Sequence, residues 1–121
     1  MKNTWRLSAI ERAAKVQLEA VGYTVVPMKQ CFATCSRPVH LMAWRDTGGL
    51  IYLKLKVTAR PLPDSIAVEQ FCRYDARLLR RLFPLSPGPV ALHLEIWILP
   101  DTGRFACYEV MADKIQEVFH V

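Results

Sequence analysis

Lys54 and Lys56, one residue apart, are the side chains whose type and spacing constrain the chemistry of this chain most. The stretch Leu50 to Val57 alternates apolar and other residues and reads as a strand, on which residues two apart share a face. Both ammonium groups then point one way, and Ile51, Leu53, Leu55 and Val57 point the other. Two ammoniums side by side on a central strand repel and lose hydration, so an anion must lie near them. Glu95 is the expected partner. It sits in a second strand-like stretch, Ala91 to Leu99, where Leu92, Leu94, Ile96 and Ile98 share one face and His93, Glu95 and Trp97 the other. If the two strands are neighbours, an ion pair of Glu95 with Lys54 or Lys56 is predicted.

The elements that would position these groups follow from periodicity. Ser8 to about Val21 has Ile10, Ala14, Leu18 and Val21 at helical spacing, and Ser8-Ala-Ile-Glu11 has the form of a capping box. Gly22 stops that helix. Tyr23 to Val26 reads as a short strand ended by Pro27, and residues 28–38 read as a loop. Val39 to Arg45 and Leu50 to Val57 read as strands joined by the hairpin signal Asp46-Thr-Gly-Gly49. Asp64 caps a second helix running to about Phe83, with Val68, Phe71, Cys72, Leu79 and Leu82 inward and Arg73, Arg77, Arg80 and Arg81 as a basic flank. Ala91 to Leu99 and Arg104 to Val110 are two more strands, and residues 111–119 are expected to form a short final helix. The order is helix, three strands, helix, two strands, helix. It predicts an α/β fold with a mixed five-stranded sheet, in which the second helix is a right-handed crossover that sets strand 91–99 parallel to strand 50–57.

With the segment "TCSRPVHLMAWRDTGGLIYLKLKV" inside it, this order resembles the PD-(D/E)xK nuclease superfamily, in its Holliday-junction-resolvase-like and restriction-endonuclease-like branches. The resemblance implies one restriction-endonuclease-like domain over residues 1–121. It places His40 where the family has a metal-binding aspartate and Lys54 where it has the acidic member of (D/E)xK. Lys56 matches the lysine, Glu11 a helix-1 glutamate, and Gln70 falls near a glutamine of the next helix. Family members hold Mg²⁺ with carboxylates, a hard ion that prefers oxygen ligands. Here one carboxylate is an imidazole and another an ammonium. Two unit charges about 4 Å apart cost roughly 4 kcal/mol at an effective dielectric of 20. The expectation is a degenerate site with no metal cofactor and no metal-dependent cleavage. The bland readings are a Glu11 spent on its capping box, a structural His40, and a Gln70 that bonds a strand end.

Composition bounds the alternatives. The chain has 52% hydrophobic and 22% charged residues and a net charge of +5, which suits one globular domain and permits nucleic-acid binding without demanding it. No apolar run approaches the roughly 20 residues of a membrane span, and the N-terminus lacks a signal-peptide core, so a cytoplasmic setting is the expectation. Cys31, Cys35, Cys72 and Cys107 lack a usual zinc spacing and read as small buried hydrophobes, with zinc on Cys31, Cys35 and His40 a minor alternative. The leading expectation is an inactive nuclease-fold protein that meets DNA, RNA or a protein partner. Arg37, Arg45, Lys54, Lys56, Arg73 and Arg77 are its phosphate contacts. One alternative is a weak endonuclease using Mg²⁺ or Mn²⁺ on Glu11, His40 and Asp46 with Lys56 assisting. Another is an interaction subunit, such as a homodimer, joined through Trp5, Trp44, Phe105 or Phe119.

Overall fold

A computed structural model describes residues 7–28, 38–46, 48–83, 91–101 and 103–120. Cys31, Cys35, Arg37 and Trp5 lie outside the described residues. The elements are α1 (Ala9–Glu19), β1 (Thr24–Pro27), β2 (Leu41–Trp44), β3 (Leu50–Val57), α2 (Ser65–Leu82), β4 (Leu92–Leu99), β5 (Ala106–Val110) and β6 (Ile115–Glu117). They build one six-stranded sheet in the order β1-β2-β3-β4-β5-β6. All neighbours are antiparallel except β3 and β4, which α2 joins as a parallel pair.

The helix ends follow the local chemistry. Ser8 caps α1: its Oγ accepts from Glu11 N at 3.3 Å, and Glu11 Oε1 accepts from Ser8 N at 2.8 Å, so both halves of the capping box are present. Asp64 Oδ1 accepts from Ala67 N at 2.9 Å at the start of α2. Gly49 is required by a close approach. A Cβ there would stand 2.0 Å from the Ala91 carbonyl oxygen, which accepts from Leu50 N where β3 and β4 begin to pair.

The sheet separates two cores. Ala14 and Leu18 of α1 pack with Val25, Leu41, Ala43, Ile51, Leu53, Leu55, Trp97 and Cys107 on one face. Val68, Cys72, Ala76 and Leu79 of α2 pack with Leu94, Ile96, Ile98 and Val110 on the other. Each central strand feeds both cores by alternation.

The expected final helix is a strand, which makes six strands instead of five. Met111 N donates to Lys114 O at 2.8 Å, closing a tight turn, and Ile115–Glu117 pairs with β5. Ile115 and Val118 would share a face on a helix, but here they join opposite cores, as odd spacing on an extended chain demands. So short a segment also gains too little from helical hydrogen bonds to offset nucleation.

Candidate functional site

Lys54 and Lys56 do share a face of β3, and it is the α2 face. Their carboxylate is Asp75, from the middle of α2. Lys56 Nζ donates to Asp75 Oδ2 at 2.5 Å, and Lys54 Nζ stands 3.9 Å from Asp75 Oδ1. Phe71, one turn before Asp75, lies beneath the Lys56 ammonium, 4.4 Å from the ring centroid. Cys72 completes the wall. Its burial pushes the thiol up to about 11, with Lys56 opposing and Asp75 adding to the shift. The lysine side chains are only 11% and 21% exposed, and that of Asp75 11%, so the trio is an internal charge cluster.

Glu95 is not in it, which corrects the expected pair. In the parallel register Leu53 stands beside Glu95, Lys54 beside Ile96 and Lys56 beside Ile98. Residues side by side across a ladder point the same way, so Glu95 shares the α1 face with Leu53. There it is 2% exposed and fully engaged. Trp97 Nε1 donates to Oε1 at 2.9 Å, and His120 Nε2 lies 2.8 and 3.0 Å from the two carboxylate oxygens. His120 stacks on Trp97 at 28° and meets the Tyr23 ring edge-on, with the Tyr23 hydroxyl 3.4 Å from Nδ1. Glu109, paired with Glu95 across β4 and β5, is held by His93 Nδ1 at 2.8 Å. Tyr23, His93, Glu95, Glu109 and His120 line one cavity of about 270 Å³ together with Arg45.

The other expected site residues divide. His40 lies just before β2, at the edge of the lysine site. Its Nδ1 accepts from Leu55 N at 3.0 Å, which satisfies a strand amide beyond the last β2–β3 pair, Leu41 with Leu53. An Nδ1 that accepts there puts the proton of the neutral ring on Nε2. Glu11 is 3% exposed, and one of its oxygens is given to the Ser8 amide. Gln70 is exposed on the outer side of α2, away from the strand end it was expected to bond. Arg45 is at the far end of β2 from the lysines. It donates from Nη1 to Val21 O at 2.9 Å and lies over the Tyr23 ring at 4.4 Å. Its α1-face position removes it from the expected lysine footprint. Asp46 follows it at that same far end and cannot join Glu11 and His40 in one ligand set.

The metal that the resemblance implies does not fit these residues. Ammonium groups carry no lone pair, the His40 Nδ1 lone pair is engaged, and the one Asp75 carboxylate is taken up by two lysines. Among the described residues, no group of three or more His, Cys, Asp or Glu side chains could hold a metal ion.

No protein-family model matches the sequence, and no curated protein matches it. A solved structure does. Hjc, a Holliday junction resolvase from Archaeoglobus fulgidus, superposes with a TM-score of 0.52 at 11% identity, over 90% of this chain and 84% of that one. The fold is resolvase-like. At that identity the likeness speaks for architecture alone, and the nuclease-type fold expected from the sequence is present with one more strand. No described helix is long and apolar enough to cross a membrane.

Sequence reasoning missed Asp75, Tyr23, His93, Glu109 and His120. Asp75 had a usable signal. It lies four residues from both Phe71 and Leu79, within the inward stripe of α2, where a carboxylate demands a buried cation.

Proposed function

We propose that this chain is a single-domain resolvase-fold protein that binds nucleic acid and does not cleave it by metal-dependent hydrolysis. The observation that carries the reading is the Lys54–Lys56–Asp75 cluster. At the positions matched to the (D/E)xK motif, the protein holds two fixed ammoniums and their counter-ion, a set that repels a divalent cation. The fold supports a nucleic-acid role because Hjc is a Holliday junction resolvase, and the net charge of +5 favours an anionic partner.

The test is cleavage and binding of linear and four-way-junction DNA. Binding in EDTA that weakens with salt, with no products in Mg²⁺ or Mn²⁺, is the expected result. Cleavage in either metal that is lost in Lys56→Ala would overturn it. Equally, no binding to either DNA at 50 mM salt would sink the nucleic-acid reading.

A second reading is a protein partner on the outer face of α2, favoured by Ile66 and Tyr74. They are eight residues apart on that face, and each is 67% exposed. Gel filtration or light scattering of the purified chain, with and without Tyr74→Lys, tests whether that partner is a second copy.

A further inference from the structure

Four cations converge on a groove of about 210 Å³ between α2 and the β5–β6 turn. Arg73, Arg77, Arg80 and Lys114 line it with Glu69, Asp113, Ala76 and Ile115. The groove is on the opposite flank of α2 from the lysine cluster. At 100° per residue, Arg73, Arg77 and Arg80 fall within about 60° of one another, roughly 120–180° around the helix from Phe71 and Asp75. Contacts agree with this count. Asp75 and Phe71 meet β3, whereas Arg80 donates from Nε to Met111 O at 2.7 Å and from Nη2 to Lys114 O at 3.2 Å. Those bonds fix Arg80 as the back wall of the groove. Arg73, Arg77 and Lys114 are exposed at its mouth.

We propose that this groove binds the backbone phosphates of duplex DNA, so that nucleic acid docks on the α2–β6 flank and away from the lysine cluster. The proposal rests on the nucleic-acid reading above and names its contact surface. The charge balance is the first argument: four cations against two carboxylates leave the groove positive, whereas Lys54 and Lys56 are turned inward and partly neutralised by Asp75. Spacing is the second. Arg73 to Arg80 spans about 10.5 Å along the helix axis, which is the rise of about three nucleotides of one strand. Arginine suits this task because its planar fork donates to two phosphate oxygens at once. The surface holds the backbone without reading bases, so it confers affinity and little sequence preference.

Fluorescence anisotropy on a labelled duplex between 50 and 200 mM salt tests the proposal. Four phosphate contacts give a salt slope near −3.6, which is an affinity loss of roughly 150-fold over that range. Arg73→Gln/Arg77→Gln removes two contacts, and the loss shrinks to about 12-fold. Both residues are exposed, and circular dichroism verifies that the variant is folded. Arg12→Gln/Arg104→Gln removes the same charge from exposed positions elsewhere and is the control. A slope that drops by about 1.8 in the α2 variant, and by much less in the control, supports the groove. Equal slopes in the two variants, with wild type still bound, overturn the groove and leave the nucleic-acid reading standing. Wild type that fails to bind overturns that reading itself. A poly-glutamate competitor as effective as DNA per charge would instead make the groove a dock for acidic protein, and would also overturn the proposal.

Discussion

Asp75→Asn keeps the shape of the side chain and removes the charge that both lysines meet. In the native protein its oxygens lie 2.5 Å from Lys56 Nζ and 3.9 Å from Lys54 Nζ. With exposures of 11%, 21% and 11%, water screens the three groups weakly. At 3.9 Å and an effective dielectric of 20, one such pair is worth about 4 kcal/mol of Coulomb energy. Most of that offsets desolvation in the intact cluster. Deleting one member exposes the cost, because the remaining charges stay buried, and measured losses of this kind run at about 3–5 kcal/mol. Set against a total stability of about 5–15 kcal/mol, the variant stands near the edge of folding. Urea unfolding followed by circular dichroism reads the loss, with wild type alongside. A second variant, Asp75→Asn/Lys56→Met, removes the nearer of the two ammoniums as well and is expected to recover at least half of it. The double variant also keeps the test alive if the single one does not fold. A loss in the single variant below about 1 kcal/mol at unchanged m-value would refute the reasoning, since fractions of a kcal/mol are what solvated surface pairs return. A double variant no more stable than the single would refute it too.

On the opposite face, His120→Ala removes the imidazole that spans both Glu95 oxygens and leaves it the Trp97 Nε1 hydrogen bond. The expected loss is about 2–4 kcal/mol, with a shift in tryptophan fluorescence because His120 stacks on Trp97; an unchanged spectrum and stability would count against the network. Gly49→Ala places a methyl 2.0 Å from the Ala91 carbonyl oxygen. That clash falls where β3 and β4 start to pair, so a drop of more than about 2 kcal/mol is expected, and a neutral thermal melt would show that the strands can part there. Alkaline stability follows from the buried thiols. Burial first of all raises Cys72 from about 9 to about 11 and Cys107 from about 9 to about 12. The folded state therefore holds protons that the unfolded chain releases. The stability from both is fully present below pH 9 and is lost as pH rises from 9 towards 11 and 12. For Cys72 the loss by pH 11 is on the order of 2 kcal/mol. Cys72→Ala should flatten the fall between pH 9 and 11, and a wild-type midpoint independent of pH over that window would contradict the burial argument.

The elements most legible in the sequence were those with two independent signals. The capping box and the 3.6-residue period both marked α1, and the alternation of Leu50–Val57 and the glycines after Asp46 both marked the β2–β3 hairpin. The parallel crossover followed from chain order, because a helix between two strands of one sheet has one favoured hand. β6 was missed because a three-residue strand carries no resolvable period. In this stretch Ile115, Val118 and Phe119 fit a helix as well as they fit an edge, and only the pairing of Ile115–Glu117 with β5 separates the two.

The site shows where pattern reading stops. Alternation assigned Lys54 and Lys56 to one face of β3, and Glu95 with His93 and Trp97 to one face of β4. It could not say which faces coincide. That depends on register, and a shift of one residue would have put Glu95 beside a lysine. The register is held by burial on both faces. Sliding β4 by one position would drive Leu94, Ile96 and Ile98 out of the α2 core and carry Glu95 into it. Each face therefore had to supply partners for its own buried charges: Asp75 on one side, His120 and Trp97 on the other. With the lysines turned inward on Asp75, what remains on the surface of α2 is the arginine flank. The same helix that supplies the internal anion turns its free cations outward, to the groove beside β6. A nucleic-acid contact there needs no metal and leaves the buried lysine cluster undisturbed, so Asp75→Asn should alter stability far more than DNA affinity, and Arg73→Gln/Arg77→Gln the reverse.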